Sequence, residues 1–244
     1  MIQFRYSFSE REVFMILFLQ EAIELAVPQA IEELAGGKIV YSDPRSPAAV
    51  ETETLTIFGK QSITEEVGGI KYEYPLHGFF QVYPEMFTKA LTDIRAEVAK
   101  LPADLPVYDL YSGVGTIGIA LAKDGRKVTG IELFPESLEY AQRNAAEAGV
   151  NIDFIEGAVE EHLPELPQES IIILDPPRSG LHPKIIKLLL EYQPQHIVYL
   201  SCNPLTQARD LALLQEQYTF TNPKLFNFYP RTPHVESLLI LKKL

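Results

Sequence analysis

With 244 residues, 46% of them hydrophobic, the chain is long enough to bury one ordinary core and a smaller attached one, which excludes a disordered protein. A formal net charge of −12 and a pI near 4.9 exclude a broad basic surface of the kind that binds nucleic acid without regard to sequence. A single cysteine excludes an internal disulfide and any multi-cysteine zinc or iron–sulfur site, so no metal is expected, and the lone thiol suits a reducing cytoplasm.

In chain order, the charged first residues and the short apolar run Val13–Leu19 read as neither a signal peptide nor a membrane span. Glu12–Leu19 has the apolar density of a buried strand, and 21–34 carries apolar residues at helical spacing, with Gly36-Gly37 expected to end that helix. Lys38–Tyr41, Thr52–Ile57 and Ile70–Tyr74 read as further strands, the first two separated by a loop over 43–47. A helix over Pro84–Ala99 leads into a Pro-rich linker over 101–106.

From Val107 onward, short apolar strands alternate with helices, the pattern of crossover units around a mostly parallel sheet. The strands are expected at Val107–Tyr111, Lys127–Glu132, Ile152–Glu156, Ser170–Asp175 and His196–Ser201. The helices between them are expected at Gly115–Lys123, Pro135–Ala148, Pro183–Glu191 and Leu205–Glu216. Lys224–Tyr229 and Ser237–Leu241 are expected as a closing hairpin at the sheet edge. The fold class is therefore α/β, with a Rossmann-like domain over 101–244 and a smaller α+β unit with a linking helix over 1–100.

The stretch Asp109 to Thr116 lies where the first of these strands gives way to a helix, and Gly113 and Gly115 let backbone approach a ligand closely. Gly113, Gly115 and Gly118 also fit the spacing of a dinucleotide fingerprint. Asp109 argues the other way: a carboxylate beside the turn repels a pyrophosphate and suits the charged amino group of a methionine moiety. Glu132, ending the second strand, is placed to accept the ribose hydroxyls of an adenosine, which serves either cofactor.

Asp175-Pro176-Pro177-Arg178 follows the run Ile171–Leu174, so Asp175 is expected at the carboxyl end of a central strand, although paired prolines alone are ordinary turn chemistry. Cys202 occupies the corresponding place one strand later. A free cysteine is often only a small buried hydrophobe; at a helix start on the ligand side, however, the backbone dipole favours its thiolate. The loop Pro230–Ser237 contains His234 and Glu236 between prolines and the last strand, either as a solvated turn or as the seat of a general base.

Together, Ser201-Cys202-Asn203-Pro204 followed by Ala208-Arg209-Asp210, the Asp175–Arg178 loop, the glycine turn, Pro233-His234-Val235-Glu236-Ser237 and Gly78–Pro84 resemble the RNA uracil-5-methyltransferases. These make 5-methyluridine in transfer and ribosomal RNA, and the resemblance covers nearly the whole chain. It implies S-adenosyl-L-methionine as methyl donor, RNA as substrate, Cys202 as nucleophile and Glu236 as base. It further implies that Gln81, Tyr111, Glu132 and Asp175 line the cofactor and base pockets, while His234 orients its loop.

The chain departs from the family pattern at Tyr83 and Ala158, both near the expected cofactor contacts. The N-terminal RNA-binding barrel and four-cysteine cluster of many relatives are expected to be absent, which describes a minimal version or a fragment and raises the prospect of a separate RNA-binding partner. Three other readings remain open from the residues: a methyltransferase of small molecules or proteins, a catalytically silent RNA-binding remnant and, on the glycine spacing alone, a nicotinamide dehydrogenase.

Overall fold

Four proline residues punctuate the helical segments: Pro84, Pro135, Pro183 and Pro204 each open a helix, where the missing N–H costs nothing and the fixed φ suits the first turn. The computed structural model describes residues 1–21, 23, 33–45 and 51–244. The helix expected over 21–34 lies almost wholly outside them, as do residues 46 and 47 of the expected loop.

Met1–Glu66 together with Tyr72–Phe79 form one compact unit. Its four-stranded sheet runs in the order β1 (Ile2–Ser7), β2 (Glu12–Leu19), β3 (Gly36–Tyr41), β4 (Glu53–Gly59), with β2 and β3 parallel and both outer pairs antiparallel. Gly36 and Gly37, expected to end a helix, instead belong to β3. A Cβ on Gly36 would stand 2.1 Å from the Lys60 carbonyl and one on Gly37 2.3 Å from that of Met15, so the glycines serve close backbone approach within the sheet. Three strands have no counterpart in the sequence expectations: β1, the three-residue strand Tyr218–Phe220, and β5 (Ser62–Val67), which pairs with β6 (Ile70–Pro75) around the Gly68-Gly69 turn.

Val67–Lys71 and Phe80–Leu244 form the other unit. Helix α1 (Pro84–Val98) belongs here rather than to a first unit ending at residue 100, because its apolar face, including Phe87, packs edge-on against Phe228 at 5.9 Å. The sheet order is β12 (Tyr218–Phe220), β14 (Glu236–Lys243), β11 (His196–Ser201), β10 (Ile171–Leu174), β7 (Val107–Leu110), β8 (Val128–Glu132), β9 (Asp153–Glu156), with β13 (Lys224–Phe226) beside β14. Strands β7 to β11 are mutually parallel, and β10 and β11 are buried along their whole length, as strands covered on both faces require.

Helices α1, α2 (Thr116–Lys123) and α3 (Pro135–Ala148) pack on one another, and so do α4 (Val159–His162), α5 (Pro183–Tyr192) and α6 (Pro204–Leu214). The closing strand was expected at the edge; β14 instead sits between β11 and β12, because its run Glu236–Leu239 is buried and requires neighbours on both sides. Strand order reverses around β7, and ligands of open α/β sheets bind beyond the carboxyl ends of strands at such a point. No helix among the described residues is long and apolar enough to cross a membrane.

Candidate active site

The segment leaving β7 turns sharply: Tyr111, Gly113 and Gly115 all take positive φ, at 67°, 56° and 85°. For Tyr111 this is a sparsely populated conformation, held here by the surrounding structure. Two carboxylates secure the turn. Glu132 accepts the Gly113 N–H at 2.8 Å through one oxygen and the Phe134 N–H at 2.9 Å through the other. Asp109 accepts the Gly118 N–H at 2.8 Å, satisfying an orphan donor in the first turn of α2, whose N-cap Gly115 has no side chain to do so. Gly118 is glycine because a Cβ there would lie 2.9 Å from that Asp109 oxygen.

Asp109 is 2% exposed, and burial pushes its carboxyl up to about 7, with Asp175 and Glu132 adding repulsion and the Gly118 bond opposing. Asp175, half-buried just past β10, is pushed up to about 7 by its enclosure. Gln81 donates to Asp175 at 3.4 Å, while the Gln81 Oε1 and Ser112 Oγ are buried without a partner. Beside them a Cβ on Gly113 would meet nothing within 4 Å, so the loop borders open space. Buried acids without an ion-pair partner among the described residues, two unsatisfied polar atoms and an open glycine face together suit a polar ligand that carries positive charge.

The second group forms where β11 meets β14. Their antiparallel register pairs Leu200 with Leu238 and Ser201 with Ser237, the last pair of the ladder; Cys202 follows β11 and Glu236 opens β14, near enough for its carboxyl to act on the thiol. On its other side Glu236 faces Phe226 of β13, and this apolar setting pushes its carboxyl up to about 8, with Asp175 raising it further and Arg178 opposing. Glu236 is 2% exposed and its Oε2 has no hydrogen-bond partner. A carboxyl so placed holds its proton weakly enough to exchange it near neutral pH, which is the requirement for a general base.

Cys202 is half-buried ahead of Asn203, the N-cap of α6, whose side chain accepts the Leu205 N–H at 3.2 Å. The expectation of a thiolate favoured by the helix start is corrected: burial, then Glu236 and Asp175, raise the thiol, and the Arg178 guanidinium acts against them.

The structure therefore gathers Gln81, Asp109, Gly113, Gly115, Glu132 and Asp175 around the glycine turn, and Cys202, Glu236 and Asp175 around the β11–β14 end. Tyr111 is not drawn into either group by a contact: it packs against the apolar core cluster, and burial first, then Glu160 and Asp210, push its phenol up to about 12. His234 stands edge-on to Tyr229 at 6.0 Å, consistent with a part in shaping its loop. Tyr83 and Ala158, the departures from the family pattern, are the residues from which α1 and α4 start. Ser112, Tyr229 and Arg178 were not singled out from sequence. Arg178 had a signal available, as the one cation in a motif otherwise built around acids and prolines.

Residues 52–244 match the family model described as tRNA (uracil-5-)-methyltransferase. An uncharacterized RNA methyltransferase of Lactobacillus johnsonii is 39% identical over 206 residues, covering 82% of this chain and 45% of that protein. One from Enterococcus faecalis is 39% identical over 221 residues, covering 88% and 48%. Among solved structures, the Pyrococcus abyssi tRNA (uracil-54, C5)-methyltransferase in complex with S-adenosyl-L-homocysteine aligns with a TM-score of 0.77 at 30% identity, over 99% of this chain and 58% of that one. The chain spans about half the length of the curated relatives it matches. On the family match and these identities, the chain belongs to the tRNA (uracil-5-)-methyltransferase family.

Proposed function

We propose that this chain carries the catalytic machinery for methylating carbon 5 of a uridine in transfer or ribosomal RNA, through a covalent bond between Cys202 and the pyrimidine. The observation that carries this reading is that Cys202 and Glu236 flank the Ser201–Ser237 pair that ends the β11–β14 ladder, with Asp175 just past β10 acting on both. S-adenosyl-L-methionine, when bound, supplies an electrophilic methyl carbon. Gln81, Ser112, Gly113 and Glu132 are the residues proposed to hold it, with Asp109 and Asp175 offering negative potential to its positive charges.

Uracil carbon 5 is a weak nucleophile. Addition of the Cys202 sulfur to carbon 6 forms a C–S bond and moves the ring electrons toward carbon 5, which makes it competent for methylation. Glu236 then takes the proton from carbon 5, and the returning electrons break the C–S bond and release the thiolate. Reaching such a site from structured RNA requires the target base to leave its stack. The net charge of −12 favours a division of labour in which a separate RNA-binding module or protein supplies most phosphate contacts, and the thiol is kept reduced in the cytoplasm.

Nucleoside analysis of unmodified transfer-RNA and ribosomal-RNA transcripts, incubated with enzyme and methyl donor, tests the reading. The wild-type chain is expected to yield 5-methyluridine, Cys202→Ala none, and Glu236→Gln a protein–RNA complex that survives denaturing gels. Methylation at any other atom, or methylation retained by Cys202→Ala, contradicts it.

A further inference from the structure

The loop after β10 is fastened to one face of α6 along its length. The Arg178 carbonyl accepts from Asn203 Nδ2 at 3.2 Å and from Thr206 Oγ1 at 3.3 Å. Arg209 donates to the carbonyl of Ser179 at 3.0 Å, and Asp210 accepts the Leu181 N–H at 2.8 Å. Gly180, at φ +76°, lets the two elements meet: a Cβ there would stand 2.7 Å from Arg209 and Asp210 side-chain atoms. The same helix starts immediately after Cys202, so α6 fixes the backbone of Arg178 relative to that of the thiol. The guanidinium then lies over the Tyr229 ring, 5.8 Å from its centroid, and its charge acts on both the Tyr229 phenol and the thiol.

From this geometry we infer that Arg178 is a positioning residue for Cys202, its guanidinium held by α6 and Tyr229 so that it binds and orients the sulfur as a thiolate. The charged and titratable groups that act on the sulfur are Glu236 from β14, Asp175 from the end of β10, Tyr229 from the loop before β14, and Arg178. Two of these are acids that oppose ionisation and one is a phenol; Arg178 is the cation among them. A thiol hemmed in by two carboxyls ionises poorly without such a partner, because each carboxylate repels the developing charge. The arrangement gives the loop–helix fastening a purpose, since a cation on a slack loop would pair with either acid instead.

This inference rests on reading Cys202 as the nucleophile, but its test needs neither RNA nor methyl donor, so its failure would leave the adduct mechanism standing. Cys202 is the chain's only cysteine, which makes alkylation of the intact protein site-specific. With iodoacetamide the thiolate displaces iodide, a C–S bond replacing the C–I bond and the thiol proton passing to solvent, so the rate against pH reports the thiolate fraction. Arg178→Gln is expected to move the midpoint upward by about one pH unit, within the range for loss of an opposite charge at close contact. Arg178→Lys should recover at least half of that shift, while Thr206→Val, which loosens the loop and keeps the cation, should move the midpoint less than Arg178→Gln does. If Arg178→Gln does not melt cooperatively, Arg178→Met, whose stem still covers Tyr229, is read in its place. A wild-type midpoint in the folded neutral variant overturns the inference, as does a Lys variant shifted as far as the Gln variant.

Discussion

Glu236 has an environment that serves chemistry at the expense of folding. Its carboxyl rises from an ordinary 4.5 to about 8, chiefly through burial and secondarily through Asp175. Below pH 4.5 both folded and unfolded chains hold the proton. Between 4.5 and about 8 the folded chain keeps a proton that the unfolded chain has lost, so stability falls as pH rises across this window and the full penalty applies above it. Glu236→Gln removes the charge with little change in shape, so it should stabilise the protein by about 1–3 kcal/mol above pH 8 and by little near pH 5, as read from denaturant midpoints at the two pH values. An equal effect at both would mean that the carboxyl titrates normally. Asp109 and Asp175 make a second prediction at this scale. Both are raised to about 7, so near neutrality they are partly protonated, and a cationic ligand beside them should expel those protons. Titration calorimetry with S-adenosylmethionine in buffers of different ionisation enthalpy should therefore show net proton release, whereas a buffer-independent heat would separate these acids from the ligand.

Among the elements, α6 and the loop after β10 carry the most consequence for the site. Asp210, 1% exposed, accepts both the Leu181 N–H and the Tyr199 hydroxyl at 2.8 Å and pairs with Arg209. Asp210→Ala leaves two buried donors unpaired, which should cost about 2–4 kcal/mol and speed hydrogen exchange over Gly180-Leu181. Exchange unchanged there would mean the loop is held by other contacts. The parallel strands and longer helices of the larger unit were legible because β10 and β11 are short unbroken apolar runs and four helices announce themselves with proline, whereas β12 and α4, three and four residues long, are too short to show a period. Strand β1 does carry a period of two, Ile2, Phe4 and Tyr6 alternating with Gln3 and Arg5, but the structure turns these apolar members outward, so the pattern marks no core face. The position of β14 was hidden for another reason, since a strand's place in the sheet depends on distant partners and not on its own pattern. In the site, residue types were readable but their engagements were not. Asp109 and Glu132 serve the backbone of the glycine turn first, and the sign of the Cys202 shift depends on acids distant in sequence.

For the molecule as a whole, the negative charge and the basic residues must be reconciled with the RNA substrate proposed above. Of the cations Lys184, Lys187, Arg209, Lys224 and Arg231, two are already engaged, Arg209 with Asp210 and Lys224 with Asp93 and Glu97. Lys184, Lys187 and Arg231 have no ion pair among the described residues, so the net charge of −12, and not a want of free cations, is what weighs against tight phosphate binding by this chain alone. What the chain does hold is one sulfur and one raised carboxyl at the end of the β11–β14 ladder, with Asp175 just past the neighbouring strand β10. The most direct test of that arrangement uses RNA substituted with 5-fluorouridine, because fluorine cannot depart as a proton and the adduct cannot resolve. Peptide mass spectrometry after incubation with the methyl donor should find a methylated fluoropyrimidine nucleotide attached to the peptide containing Cys202. Attachment to any other residue, or no attachment by an enzyme that still methylates ordinary RNA, would contradict the account.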